Sequence, residues 1–191
     1  MELILRCQKG DTNAFALLFD KYKNLIFRTA LLMLNDAGEA EDVLQEVFLR
    51  VHRSLSTYQP DKGAFTTWLH KITVNHCLNQ LRKRSLPFLS LDLIAEKKTT
   101  VKDSPVQEQI DQNEDIRRGL QKLSPKLRAV LVLNFYWGLT YAEIAQALDI
   151  PIGTVQSRMN QALKNLRRSL DENLPGETRN LDVAREKEAN L

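Results

Sequence analysis

Two small helical domains joined by a flexible linker, the second containing a helix-turn-helix, are the architecture this sequence predicts. Three observations carry the expectation. Apolar residues recur at three- and four-residue steps through most of the chain. The 191 residues include only seven glycines and six prolines, gathered mainly at the breaks between such stretches. Residues 85–105 lose the helical period and hold Pro87 and Pro105 near their ends, which marks a linker. The domains expected are residues 1–85 and 106–172, with a linker at 86–105 and a disordered tail at 173–191.

The first long helix starts at Asp11 or Thr12, either of which can cap it. Phe15, Leu18, Phe19, Tyr22, Leu25 and Ile26 give it a wide apolar face, and residues 35–38 break it. Asp36 with Glu39 forms a second capping pattern, opening a helix that runs to about Leu55. Along it Ala40, Val43, Leu44, Val47, Phe48, Val51 and Leu55 make one broad stripe. The opposite face holds Asp42, Gln45, Glu46, Leu49 and Arg53. A leucine amid a polar, partly acidic face reads either as a stray exposed residue or as the apolar anchor of a docking patch.

After a loop at residues 56–63 comes FTTWLHKITVNHCLNQLRKRS. Helical spacing gives it two apolar stripes, Val74, Leu78 and Leu81, and Leu69, Ile72 and His76. Between them lie Trp68, Lys71, Asn75, Asn79 and Arg82, and the helix ends in the basic run Arg82-Lys83-Arg84. An indole among asparagines and cations suits single-stranded or opened nucleic acid: the ring stacks on a base, an amide reads an edge and cations hold phosphates. The plainer reading makes Trp68 core and the cations solvated surface. His70, His76 and Cys77 lie close in sequence, but His76 and Cys77 point about 100° apart and no ligand spacing supports a metal, so none is expected.

Phe88, Leu89, Leu91, Leu93 and Ile94 make the linker too apolar for a solvated tether. Beyond it Ile110, Ile116, Leu120 and Leu123 mark one helix, and Ser124-Pro125 supplies a cap with proline at the first helical position of the next. KLRAVLVLNFYW follows as a mostly buried helix that Gly138 stops. Residues 139–170, LTYAEIAQALDIPIGTVQSRMNQALKNLRRSL, then read as a helix-turn-helix. Thr140 and Glu143 form a capping box, residues 149–153 form the turn with Pro151 and Gly153 as breakers, and Thr154 caps a second helix. On that helix Val155, Met159, Leu163, Leu166 and Leu170 are the expected core stripe. Ser157, Gln161, Lys164 and Arg168 point away from it, flanked by Gln156, Asn160, Arg167 and Arg158, with no carboxylate before Asp171. Such a face can enter a major groove, its N-terminal residues at base edges and its cations on phosphates; the bland alternative is any two-helix corner.

Composition limits the rest. With 43% hydrophobic and 27% charged residues the chain is globular, and a net charge of +3 carries no argument for nucleic acid by itself. The two cysteines, Cys7 and Cys77, suit a reduced compartment. No apolar run approaches the ~18 residues of a membrane span, and no signal-peptide core precedes the first helix, so a cytoplasmic location is expected. No phosphate loop, nucleophile elbow, metal-ligand pair or Ser/His/Asp set offers enzyme chemistry, and neither a cofactor nor a small-molecule substrate is expected.

Three segments in this order, AEDVLQEVFLRVHRSL at residues 40–55, FTTWLHKITVNHCLNQLRKR at 65–84 and LSPKLRAVLVLNFYWGLTYAEIAQALDIPIGTVQSRMNQALKNLR at 123–167, resemble the sigma-70 family of bacterial RNA polymerase sigma factors. The small two-domain size points to its extracytoplasmic-function (ECF) group. The resemblance covers about residues 5–170 outside the linker. It implies core RNA polymerase, through the beta-prime clamp helices and the beta subunit, as partner, with Asp42, Gln45, Glu46 and Leu49 docking on the clamp helices. It implies that Tyr58, Lys62, Trp68, Lys71, Asn75, Asn79 and Arg82 serve the −10 element, the loop at 58–64 holding a base flipped from the non-template strand. It implies promoter DNA contacts at the −35 element by Thr154, Gln156, Ser157, Arg158, Asn160, Gln161, Lys164 and Arg167, and an anti-sigma factor as regulator. One departure stands out. Where many ECF members carry an RSRxxRAR run, this chain has QSRMNQAL, so amides, which pair with adenine, replace many of the cations that favour guanine.

Overall fold

The structure is a computed structural model, and it describes residues 2–84 and 114–171. Every regular element among the described residues is helical. A short helix α1 (Glu2–Gln8), which periodicity alone did not reveal, precedes α2 (Thr12–Leu34). Asp11 rather than Thr12 is the cap of α2: its side chain accepts the Ala14 amide at 3.0 Å and the Arg6 guanidinium at 2.9 Å. That amide first, and Arg6 second, hold the Asp11 carboxyl below its ordinary pKa. Asn35, at φ +58°, turns the chain out of α2, and Asp36 caps α3 (Ala37–Ser54) by accepting the Glu39 amide at 2.8 Å. The Glu39 carboxylate pairs with Arg84, tying the start of α3 to the end of α4 (Phe65–Arg84).

The apolar stripe on α3 is buried as its spacing requires: Ala40, Val43, Val47 and Val51 have no exposure, and Phe48 and Leu55 have little. They meet Leu18, Ile26, Ala30 and Leu31 of α2 and Leu69, Val74 and Cys77 of α4 in one cluster. Burial pushes the Cys77 thiol up to about 12, so it is an inert core group.

In the C-terminal part, α5 (Glu114–Gln121) packs on the long final helix, with Gly119 at the crossing. A Cβ there would lie 2.6 Å from a Leu166 methyl, so the glycine is what lets the helices approach. Pro125 opens α6 (Pro125–Leu131) at the first helical position, but the Ser124 cap works through its carbonyl, which accepts from Leu127 and Arg128, and not through its hydroxyl. The helix then widens into a π-helical turn, Val132–Tyr136, and ends at Gly138 (φ +70°). The Asn134 amide bonds the Leu139 carbonyl at 2.8 Å and secures this exit.

The helix-turn-helix comprises α7 (Tyr141–Leu148) and α8 (Ile152–Asp171). The expected capping box is present, with the Glu143 amide donating to Thr140 Oγ1 at 3.3 Å and the Thr140 amide to Glu143 Oε2 at 2.8 Å. Three details of this unit differ from the sequence expectation. Asp149, in the left-handed region at φ +55°, makes the turn, and Pro151 lies just before the next helix. α8 begins two residues before Thr154, because the Pro151 carbonyl accepts from Thr154 and Val155, leaving Gly153 and Thr154 inside the first turn. Its buried stripe is Val155, Met159, Ala162 and Ser169, while Leu163 is 40% exposed and Leu166 and Leu170 are half-buried. Ala162 and Ser169 take buried positions on this helix, and Leu163 faces the surface.

The sequence treats the two units as independent, yet in the structure they share one continuous core. Trp137 leaves the π-turn and enters a slot between α2 and α4. Its Nε1–H donates to Thr29 Oγ1 at 2.6 Å, and its ring meets His70 edge to face. Arg128 is buried and spends its guanidinium on main-chain carbonyls: Leu120 at 2.9 Å, Gln121 at 3.0 Å, Leu123 at 3.1 Å and, across the units, Met33. Burial lowers its pKa to about 10, with the charge of Arg84 adding to the effect. Gln121 also crosses, donating to the Leu32 carbonyl at 3.1 Å. The apolar linker expected at 86–105, the tail at 173–191 and the start of the helix expected from residue 106 lie outside the described residues.

Candidate nucleic-acid interface

Three surfaces emerge. The first is the outer face of α3, where Asp42, Gln45, Glu46 and Leu49 are all exposed. Leu49 is 50% exposed while its helix neighbours Val47 and Phe48 are buried, so the leucine stands alone among polar groups.

The second surface surrounds Trp68. The loop before α4 is built of two short 3-10 turns, Leu55–Thr57 and Pro60–Lys62. It is held from behind: Gln8 Nε2 donates to the carbonyls of Leu55 at 2.9 Å and Tyr58 at 3.0 Å. Tyr58 is buried, its hydroxyl donates to the Gly63 carbonyl at 3.0 Å, and its ring lies 5.5 Å from Phe65 and 5.6 Å from Trp68. Burial raises the Tyr58 pKa, so the phenol remains a donor. Trp68 is thus half-buried, fixed by aromatic neighbours on one side and free to present its ring on the other.

Two clefts open beside it. One, of about 270 Å³, runs over the loop and is lined by Tyr58, Gln59, Lys62, Gly63, Trp68 and Lys71. The other, of about 250 Å³, lies between α3 and α4 and is lined by Arg50, Ser54, Trp68, Lys71, Ile72 and Asn75. Trp68 and Lys71 therefore belong to both, and Tyr58, Lys62 and Asn75 to one each. Asn79 and Arg82 continue the strip along α4 outside the clefts, joined by a bond from the guanidinium to the amide oxygen at 3.2 Å. Sequence reasoning missed Arg50 of α3, which lines the cleft together with Lys71 of α4; the two are brought together only by the packing of those helices. It also missed Gln146 and Ala147 of α7, which line the loop cleft from the other unit.

The third surface is the outer face of α8. Gln156, Ser157, Asn160, Gln161, Lys164, Arg167 and Arg168 are exposed, and Thr154 and Arg158 half-exposed. Ser157 turns its hydroxyl to the Thr154 carbonyl at 3.0 Å, which leaves its oxygen as an acceptor outward. The amides Gln156, Asn160 and Gln161 lie in the N-terminal half together with Arg158, and Lys164, Arg167 and Arg168 lie in the C-terminal half.

The chain thus presents an aromatic strip beside two clefts and, on its helix-turn-helix, an exposed face of amides and cations. Residues 18–86 match the model for sigma-70 region 2 and residues 113–166 that for sigma-70 region 4. The RNA polymerase sigma-H factor of Pseudomonas aeruginosa is 32% identical over 88% of this chain and 92% of its own length. The ECF RNA polymerase sigma factor SigW of Bacillus subtilis is 31% identical over 87% of this chain and 94% of its own. The ECF RNA polymerase sigma-E factor of Escherichia coli is 34% identical over 84% of this chain and 88% of its own. In fold the chain is similar to CnrH in complex with the cytosolic domain of CnrY, with a TM-score of 0.68 at 21% identity over 90% of this chain and 97% of that one. It is also similar to the sigma factor RpoE of Bartonella quintana in complex with the anti-sigma factor NepR, with a TM-score of 0.61 at 21% identity over 86% and 99%. The chain belongs to the ECF group of sigma-70 family RNA polymerase sigma factors.

Proposed function

We propose that each of the three surfaces carries one contact of promoter-directed initiation. The α3 face, with Leu49 as apolar anchor and Asp42, Gln45 and Glu46 as rim, docks on the beta-prime clamp helices of core polymerase. The clefts flanking Trp68 receive bases of the −10 non-template strand as the duplex opens: the indole stacks, Asn75 and Asn79 read edges, and Lys62, Lys71 and Arg82 hold phosphates. The α8 face reads the −35 duplex, with Gln156, Ser157, Asn160 and Gln161 toward bases and Arg158, Lys164 and Arg167 toward phosphates, Thr154 sitting at the helix start. Residues 1–85 and 106–172 are the two working domains, joined by 86–105 and followed by a tail at 173–191.

The protein catalyses nothing in this scheme; the polymerase supplies the chemistry, and the cytoplasm is where it works. Among the described residues no helix is long and apolar enough to cross a membrane. An anti-sigma factor is the regulator this reading adds, on the analogy of the Bartonella RpoE structure, whose partner is an anti-sigma factor.

The observation that carries the reading is the coexistence of the Trp68 strip with a recognition helix free of carboxylates before Asp171, beside an exposed leucine on an acidic helix. Run-off transcription with core polymerase and a genomic promoter library tests it. Initiation at a defined promoter class is expected. DNA binding without initiation would instead indicate a plain helix-turn-helix regulator, and neither activity a protein-binding adaptor.

A further inference from the structure

The loop proposed to take a −10 base is fastened from behind by a residue that none of the three surfaces contains. Gln8 ends α1, and its side-chain amide donates to the Leu55 carbonyl at 2.9 Å and to the Tyr58 carbonyl at 3.0 Å. An amide –NH2 has two hydrogens, so both are engaged, and two carbonyls at one end settle which way the amide points. The Leu55 carbonyl also accepts the Tyr58 N–H at 3.1 Å, so the Gln8 side chain grips the loop on both sides of its first 3-10 turn.

Gln8 is itself held in place. Ile4 buries α1 against the core, and Arg6 pairs with Asp11 at 2.8 Å. Gly10, at φ +85°, turns the chain so that the Asp11 amide donates back to the Arg6 carbonyl at 3.2 Å. The short first helix is therefore a fixed point from which a side chain reaches the loop, nearly fifty residues further along the chain.

The group it grips is the Tyr58–Gln59 peptide. Tyr58 turns inward, and its hydroxyl crosses the loop to the Gly63 carbonyl at 3.0 Å. Gln59 is exposed and lines the cleft. Holding the Tyr58 carbonyl thus sets the direction in which Gln59 leaves the main chain. Rejecting a wrong base requires the reading groups to be held within about 0.5 Å of their productive geometry. Overall hold on a single strand is less demanding, because stacking and cation contacts tolerate any base.

We infer that Gln8 is a positioning residue for base selection: α1 braces the loop so that the cleft discriminates among the four bases, although Gln8 lines neither cleft. The inference rests on the −10 reading of the loop cleft. Strand affinity comes from Trp68 and its neighbouring cations and does not pass through Gln8; discrimination at the captured base does.

Holoenzyme reconstituted from core polymerase and the full chain tests this by titration with labelled non-template −10 oligonucleotides. At each −10 position in turn the strand carries one of the four bases or an abasic site. In the wild type one position should combine a base preference with a loss of affinity on the abasic strand, which marks the captured base. Gln8→Met has similar length but no donor. It should flatten the preference at that position roughly five- to tenfold, the worth of one hydrogen bond, since the Leu55 carbonyl keeps the Tyr58 N–H. Preference at the other positions and affinity for the abasic strand should match the wild type. Gln8→Lys, which restores a donor at comparable reach, should recover the preference; Gln8→Ala takes the place of the methionine variant if that one fails to assemble with polymerase. A wild-type base ratio at the captured position without the donor, or an equal loss on every strand including the abasic one, overturns the inference. A wild-type holoenzyme with no such position removes the strand-capture reading of the cleft itself, and the inference with it.

Discussion

His70 is a buried imidazole whose Nδ1 has no hydrogen-bond partner, and burial alone lowers its pKa to about 3 from an ordinary 6.5. A base whose folded pKa is depressed keeps its full stability above the unfolded pKa and loses it as pH falls through the window between the two, here from about 6.5 toward 3. The slope is about 1.4 kcal/mol per pH unit. Urea unfolding at pH 7.5 and pH 5.0 should therefore differ by about 2 kcal/mol, and His70→Leu should remove most of that difference; an unchanged difference would place the pH sensitivity elsewhere. Leu49 offers the opposite case, a side chain whose exposure does nothing for the folded chain. Leu49→Asp should leave the thermal midpoint within a degree or two but weaken core-polymerase binding by about 2 kcal/mol, roughly thirtyfold, as loss of an interface anchor does. Titration of labelled polymerase measures it, and equal affinity would remove Leu49 from the interface. Leu49 was legible in the sequence because its neighbours' period left it on the wrong face. His70, Trp137 and Arg128 were not, because the His70–Trp137 ring contact and the Trp137–Thr29 bond join distant residues and a buried arginine satisfied by main-chain carbonyls has no sequence signature.

At the scale of elements, the caps were legible and the crossings were not. The Thr140–Glu143 box and the Asp36 cap are local, each contained within four residues, and both stand in the structure. The start of α8 depended on whether Pro151 would carry the cap through its carbonyl, and the buried stripe of α8 depended on which neighbour needed small residues. Ala162 and Ser169 are buried where Leu163 is not, and Ser169 lies with Leu166 against Gly119 of α5. The outward face was unaffected by that shift, since the side chains opposite a helix crossing remain outward whichever residue fills it. Its amide-rich N-terminal half leads to a prediction. Gln156→Arg with Gln161→Arg should move the preferred −35 sequence toward guanine, each good bidentate pair being worth about 1–3 kcal/mol of discrimination. A selection of −35 variants with the double mutant that returns the wild-type preference would refute the assignment of these amides to bases.

The whole molecule combines an all-helical class that was legible with a domain arrangement that was not, since nothing in periodicity says whether two apolar-cored units touch. Charge behaves the same way: the total of +3 is uninformative, and the meaning lies in where cations collect. Lys164 and Arg167 lie on the cationic half of α8, with Lys71 beside the clefts. Each cation that neutralises a duplex phosphate releases counterions and adds about 0.9 to the steepness of log affinity against log salt, and about 0.7 on a single strand. Holoenzyme carrying Lys164→Gln and Arg167→Gln should thus bind its promoter with a salt slope shallower by about 2 than wild type, the polymerase's own contacts cancelling in the difference. The loss should be nearly the same on strong and weak −35 sequences, because phosphate contacts carry no base information. Lys71→Gln should change the slope by less than 1, and only under conditions where the duplex is open, because the strand it meets is single. Filter-binding or fluorescence titrations between 50 and 200 mM salt, a range over which such contacts change affinity strongly, measure both. A slope unchanged by the α8 pair would mean that this helix does not lie along a duplex backbone.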